Sequence, residues 1–539
     1  MADTLQNQTT DVSPKTPVTM SPSPTIQTEA AIPAMSPAGH TSRDHAPLPP
    51  RPGKVVTWML MLGCLTIGAA PMLMDIQRQR PWNGHEQTSV AISLATWRHL
   101  HRLPIDSIGL EALTPIYQDQ PYLATAPGTT WIHLAAFSLN DSPTLAPSQA
   151  ILAGRLASAI LGLAALLAIF WTGFSVGGLG TACFATLVCL ATAPFIYAGR
   201  LASGIMPELA FGLISIAAAV WSIRPLRPTA SLVRQGLGWM TCGLALGVAA
   251  LIAGPTAFVS TLLPILIILL LCPHRISHLL GMVAAACIAT LIVTPWVVYA
   301  LDQNPEVWKR WLADLGPNHV PVGTFWKQAG IRILLVLTAV MPWTLWLIAA
   351  LIQPFSASSA GTRMRLFLGW AWFVTITTWI LIRPDDTTIR ILAPALPAAA
   401  ILIGQLFQQF ADLSAEGRHA RTWRILRWPH VMALLAASIS LPLALNFQDS
   451  LMEREYLDGL LTATMHGSYW FGAGVVLVSI TMLSLHWASK HYPGRTLIAW
   501  SVWTVTAFIV LLIPMVRGPI LDTTVSAPLD TTAAVNPAP

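Results

Sequence analysis

Charge is what this chain has least of. Only 10% of its 539 residues are Asp, Glu, Lys or Arg, against about a quarter in a soluble domain. So little charge cannot coat a water-facing surface of this size, which excludes an ordinary soluble protein. Cysteine is scarce as well. The six cysteines fall inside apolar runs or at their edges, where the residue behaves as a small apolar group. No CxxC occurs and no loop offers a thiol pair, which argues against a structural disulfide or a zinc–thiolate site and leaves the redox compartment unread. Internal repeats are missing, and few ionisable residues lie within the apolar runs. Both absences argue against a transporter with an intramembrane ion path.

What the chain has is apolar sequence: 54% of residues are hydrophobic and the mean hydropathy is +0.60. A bilayer-spanning helix needs roughly 20 mostly apolar residues. Thirteen stretches qualify, near 55–74, 150–173, 178–198, 203–223, 236–252, 255–272, 277–298, 328–352, 365–382, 388–409, 428–446, 468–487 and 495–516. The expected fold is therefore all-α, a polytopic membrane protein of about 13 transmembrane helices. The weakest division is at Gly254-Pro255, which splits one long run into two.

The connections are sorted by charge. Those following the even-numbered runs hold twelve basic residues, among them Arg224, Arg234, Arg275, Arg363 and Arg421, and only two acids, Asp412 and Glu416. Cytoplasmic loops carry such an excess of Lys and Arg. The expected orientation has the N-terminus in the cytoplasm and the C-terminus outside the cytoplasmic (inner) membrane. The net charge of +6 is explained by these arginines beside anionic headgroups, so nucleic acid is not an expected partner. Residues 1–54, rich in Pro, Thr, Ser and Ala, read as a disordered cytoplasmic tail. The first apolar run starts only after Lys54, which argues against a cleaved signal peptide. Residues 518–539 read as a second disordered tail.

Two outer loops stand out. Loop 75–149 opens with HEQTSVAISLATWRHLHRL, in which Val90, Ile92, Leu94, Trp97 and Leu100 alternate with polar positions. That pattern predicts a helix resting on the bilayer surface. Residues 128–139 are apolar but too short to cross, and counting them as a span would put Arg224, Arg227 and Arg234 outside. They are expected to lie along the outer surface. In loop 299–327, Trp308, Trp311 and Leu312 at helical spacing predict another surface helix.

Four stretches carry a family resemblance: HEQTSVAISLATWRHL; QPYLATAPGTTWIHLAAFSL; GRLASAILGLAALLAIF followed by APFIYAGRLASGIMPELAFGL; and the Pro-Trp elements of VTPWVVYA and AVMPWTLWL. In order and spacing they resemble the GT-C superfamily of membrane glycosyltransferases, in particular the aminoarabinose transferase and protein O-mannosyltransferase group. The likeness covers residues 55–410, with 411–517 as additional C-terminal helices. It implies transfer of a sugar from a polyprenyl-phosphate donor to a lipid, glycan or protein acceptor on the outer face of the membrane. The sequence departs from the pattern at several charges. The family's catalytic aspartate falls on His85, with Glu86 beside it. Its Glu-Lys falls on Ala124 and Thr125. Its Asp before Met-Pro falls on Ile205, with Glu208 in the next turn, and its Lys-Gly-Pro is Ala253-Gly254-Pro255.

Such chemistry needs a base for the acceptor hydroxyl, cations for the phosphate leaving group and an apolar groove for the lipid. Glu86 and His85 are the candidates for base. Arg200, Arg155 and Lys327 are the candidates for donor phosphate, with Arg332, Arg383 and Arg390 behind them. Glu208, Asp385 and Asp386 complete the set. The Asp385-Asp386 pair has the chemistry for a divalent metal, though such a pair is more often a solvated turn. No metal or cofactor is assigned. Each charge has a plainer reading too: Glu86 as a first-turn helix acid, Arg200 as a snorkelling anchor. Two other functions fit the departures less directly: a degenerate relative that binds lipid-linked glycan or scaffolds a partner, and a transporter.

Overall fold

A computed structural model describes residues 53–415, apart from 74–75, 79–83, 105–108, 110–112, 141–143, 224–231, 272–274, 314, 316–321, 357–359 and 383–388, together with Ile425. The N-terminal tail, the Asp385-Asp386 connection and the last three expected spans lie outside the described residues.

The protein is all-α. Apolar runs of this length must satisfy their own backbone, and helices do so internally. In chain order the helices are α1 Lys54–Leu73, α2 Gly84–Leu100, α3 Gly128–Phe137, α4 Pro147–Gly177, α5 Leu179–Leu190, α6 Ala193–Arg200, α7 Ile205–Ile223 and α8 Leu232–Ala253. They continue as α9 Thr256–Leu271, α10 Arg275–Gln303, α11 Val307–Ala313, α12 Val322–Ala339, α13 Thr344–Ser356, α14 Ala360–Ile382, α15 Ile389–Leu392 and α16 Ala395–Ala415. A small antiparallel hairpin, β1 Ile116–Tyr117 with β2 Gln120–Pro121, lies between α2 and α3.

Among the described residues, six helices are long and apolar enough to cross a membrane, or up to eight if two bent pairs each form one span. The expected break at Gly254-Pro255 is present. Gly254 takes φ +69° between α8 and α9, a left-handed conformation that glycine adopts without steric cost. Two of the expected spans are bent. Run 178–198 divides into α5 and α6, inclined at 71°, and run 328–352 into α12 and α13, inclined at 107°. Pro194 and Pro342 lie at the breaks, and proline disfavours helix in the residue before it.

The central helix is α4, which touches α1, α2, α3, α5, α6 and α7. It begins at Pro147, where the Gln149 side chain accepts the Ala146 N–H at 3.2 Å. The helix then brings a fully buried arginine, Arg155, against the start of α2.

The surface-helix expectations need revision. Val90, Leu94 and Trp97 of α2 are buried against Leu134 and Phe137 of α3 and Ile151 of α4. The α2 stripe faces the protein, and α3 is packed between α2, α4 and α8. A core and a bilayer select the same periodic apolar pattern, so the sequence alone did not separate them. In α11, Trp311 is buried beside Trp296 and Leu123, whereas Trp308 and Leu312 are exposed.

Candidate functional site

Three of the four resembling stretches converge on one buried carboxylate. Glu86, in the first turn of α2, accepts from Arg155 Nε at 2.8 Å and from Arg155 Nη2 at 3.0 Å. This is the bidentate fork that makes arginine–carboxylate pairs strong. Its Oε1 also accepts the Ala202 N–H at 2.9 Å, and Arg155 Nη1 donates to the Ile76 carbonyl at 3.1 Å. Glu86 and Arg155 are both fully buried. Close packing at Gly154 makes the approach possible: a Cβ there would lie 2.8 Å from the Ala202 Cβ. Arg200, also buried, donates to the Pro71 carbonyl of α1.

All three candidates bond to the protein itself. Glu86 has the environment of a buried ion-pair partner, since a general base needs an oxygen within reach of a substrate proton. Arg155 is committed to the same pair, and Arg200 to the α1 backbone. Together the three fix α2, α4 and the α6–α7 junction to one another. His85 lies in the first turn of α2, and its side chain is outside the described residues.

Beside this pair sits a histidine that the sequence reading passed over. His133 of α3 is fully buried, and its Nδ1 lies 2.9 Å from Ser93 Oγ. Ser93 gives its one hydroxyl proton to the Ser89 carbonyl at 2.8 Å. Nδ1 must therefore be the donor, leaving Nε2 as the acceptor nitrogen of a neutral ring. Burial pushes the imidazole pKa down to about 4, with nearby Glu86 acting in the opposite direction. The unfolded chain, titrating near 6.5, binds this proton more readily than the folded one. Stability therefore falls as pH drops from about 6.5 towards 4. We expect His133→Asn, which keeps a donor for Ser93 but does not titrate, to lose less thermal stability than wild type over that interval. Parallel melting curves that fall equally would exclude His133 as the source.

A second charged pair lies at the mouth of a groove. Glu208, in the first turn of α7, accepts from Arg390 Nε of α15 at 3.1 Å. The Glu208 side chain is 11% exposed and that of Arg390 is 39% exposed. Behind them is a narrow pocket between α7, α9, α14 and the turn after α15, walled by Leu213, Ile216, Trp372 and Pro394. One polar edge, an ion pair, thus opens onto an otherwise largely apolar slot. The signal for Arg390 was available: it falls inside an apolar run, as Glu208 does, and charges in such runs face a cavity or one another.

The other candidates among the described residues join neither group. Lys327 is exposed on α12. Arg332, further along α12, is buried and donates to the Leu381 carbonyl at 3.0 Å and the Ile380 carbonyl at 3.3 Å, at the end of α14. Arg383, Asp385 and Asp386 lie outside the described residues. Among the described residues no group of three or more His, Cys, Asp or Glu could hold a metal ion.

This architecture, with the loop after α1 packed onto the bundle, is a fold shared with solved membrane-protein structures. Solved structures with it include ArnT, the aminoarabinose transferase, from Cupriavidus metallidurans in the apo state. The TM-score is 0.63 at 16% identity, over 86% of this chain and 78% of that one. The same enzyme bound to undecaprenyl phosphate gives a TM-score of 0.62 at 16% identity, over 86% and 77%. A weaker likeness, with a TM-score of 0.48 at 12% identity over 68% of this chain and 51% of the other, is to the Archaeoglobus fulgidus oligosaccharyltransferase. No family model matches the chain, and no curated protein matches it.

Proposed function

We propose that this protein is a membrane glycosyltransferase that moves a sugar from a polyprenyl-phosphate donor to a lipid, glycan or protein acceptor on the outer face of the cytoplasmic membrane. The observation that carries the reading is the groove behind Glu208 and Arg390. A polyprenyl phosphate is an apolar chain ending in an anion, and the slot offers apolar walls ending in a half-exposed guanidinium. Arg390 binds the donor phosphate and stabilises it as it leaves. Glu208 holds Arg390 in place. Glu86 and Arg155 position the start of α2, where His85, at the family's acidic position, serves as the base. The basic bias of the connectors supports a cytoplasmic N-terminus and an external groove mouth.

A specific observation favours a second reading. The acid nearest the family's catalytic position is bonded to Arg155 and Ala202, as expected of a relative that binds lipid-linked glycan without turning it over. Purified full-length protein in nanodiscs with labelled polyprenyl-phosphate sugar separates the two. The transferase reading predicts released polyprenyl phosphate with a suitable acceptor. Binding without release across lipid, glycan and protein acceptors would favour the non-catalytic relative, and absence of binding would sink both.

A further inference from the structure

We propose that Arg332 is a positioning residue for Arg390. By fastening the C-terminal end of α14 to α12, it fixes the place from which Arg390 meets the donor phosphate. The inference rests on the reading of Arg390 as the phosphate-binding residue.

Arg332 stands in an apolar run, IRILLVLTAV, and is 4% exposed. A guanidinium buried there is costly unless its donors are used. Nη1 donates to the Leu381 carbonyl at 3.0 Å and to the Ile380 carbonyl at 3.3 Å. Both carbonyls belong to the last turn of α14, where a helix has no partners of its own for them. The cation also sits at the negative end of the α14 dipole. Arg332 is thus a C-terminal cap for α14 supplied by another helix.

The phosphate clamp follows α14 in the chain. Arg390 lies nine residues after Leu381. α12 touches α15 as well as α14, so one helix braces both sides of the connection between them. Ile391, Leu392 and Ala393, directly after Arg390, are buried. Glu208 of α7 holds the Arg390 guanidinium through Nε, and Arg332 holds the backbone from which that side chain reaches. A binding group must be kept within about 0.5 Å of its productive place. Buried and bonded to α14, Arg332 acts through Arg390 and not on the phosphate.

The test compares binding of polyprenyl phosphate and of polyprenol, the same chain without the phosphate, to full-length protein in nanodiscs. The ratio of the two affinities isolates the phosphate contact, because a general loosening of the helices weakens both ligands alike. In the wild type we expect the phosphate to be preferred. Arg332→Met is expected to cut that preference about tenfold, the low end of what removing a group behind a ligand costs at metal sites. Arg332→Lys, which keeps a charged donor, is expected to lose less, and it carries the test should the methionine variant fold poorly. In an Arg390→Ala background neither change at Arg332 is expected to cost anything further, because the clamp it holds is gone. An unchanged preference in the Arg332 variants, or the same loss in both backgrounds, would overturn the positioning role and leave Arg390 as the donor contact. A wild type without preference for the phosphate, or an Arg390→Ala variant that keeps it, would overturn the donor reading and the positioning role together.

Discussion

Replacing Glu86 by Gln is expected to lower the stability of the protein by about 3–5 kcal/mol, the usual cost of breaking a buried ion pair by removing one partner. Both side chains are fully buried. A glutamine leaves the Arg155 charge uncompensated, and only one of its terminal atoms can accept a hydrogen bond. The double variant Glu86→Leu with Arg155→Met is expected to recover much of the loss, because an apolar pair of similar volume carries no desolvation penalty. Unfolding of the purified variants, followed by tryptophan fluorescence, measures both effects. If Glu86 were instead the catalytic base, Glu86→Gln would fold as the wild type does and lose turnover alone. That outcome would remove the positioning role assigned here.

The second large effect is on activity. Arg390→Ala is expected to reduce sugar transfer by about a hundredfold or more, the scale seen when one donor to developing charge is removed. Its effect on stability is expected to be smaller than that of Glu86→Gln, because the Arg390 side chain is 39% exposed, although Glu208, 11% exposed, loses its partner. Arg390→Lys keeps the charge but loses the fork and is expected to fall between the two. Comparing donor release by the purified variants with their melting temperatures separates the two effects. An alanine variant that transfers sugar at the wild-type rate would place the phosphate elsewhere.

These two variants also mark what the sequence could and could not say. Among the described residues hydropathy located the helical runs, including the division at Gly254, because a helix is the local solution to burying an apolar backbone. It could not foresee the bends at Pro194 and Pro342, since proline in a membrane helix is compatible with a kink, a break or a straight passage. The stretches holding Glu86, Arg155 and Arg200 were singled out for the family resemblance they carry, and Glu86 meets Arg155 and the Ala202 N–H. Their mutual pairing was not legible. Glu86 and Arg155 are 69 residues apart, and nothing local distinguishes a carboxylate that meets a substrate from one that meets an arginine.

The Glu208–Arg390 contact, across 182 residues, was missed for a different reason. Resemblance directed attention to positions where the family carries charge, and Arg390 was ranked behind them. A purely physical rule would have raised its rank, because an ionisable residue inside an apolar run must find a partner or a cavity. His133 escaped notice because a histidine in an apolar helix reads as ordinary core. Only the Ser89–Ser93–His133 chain of hydrogen bonds gives it a defined tautomer.

The most direct measurement is a cryo-electron microscopy structure of the full-length protein in nanodiscs with polyprenyl phosphate. The account predicts the phosphate within hydrogen-bond reach of Arg390 and the chain lying between α7, α9 and α14. A phosphate seated at Lys327 or Arg200, or a chain in another helix seam, would contradict it.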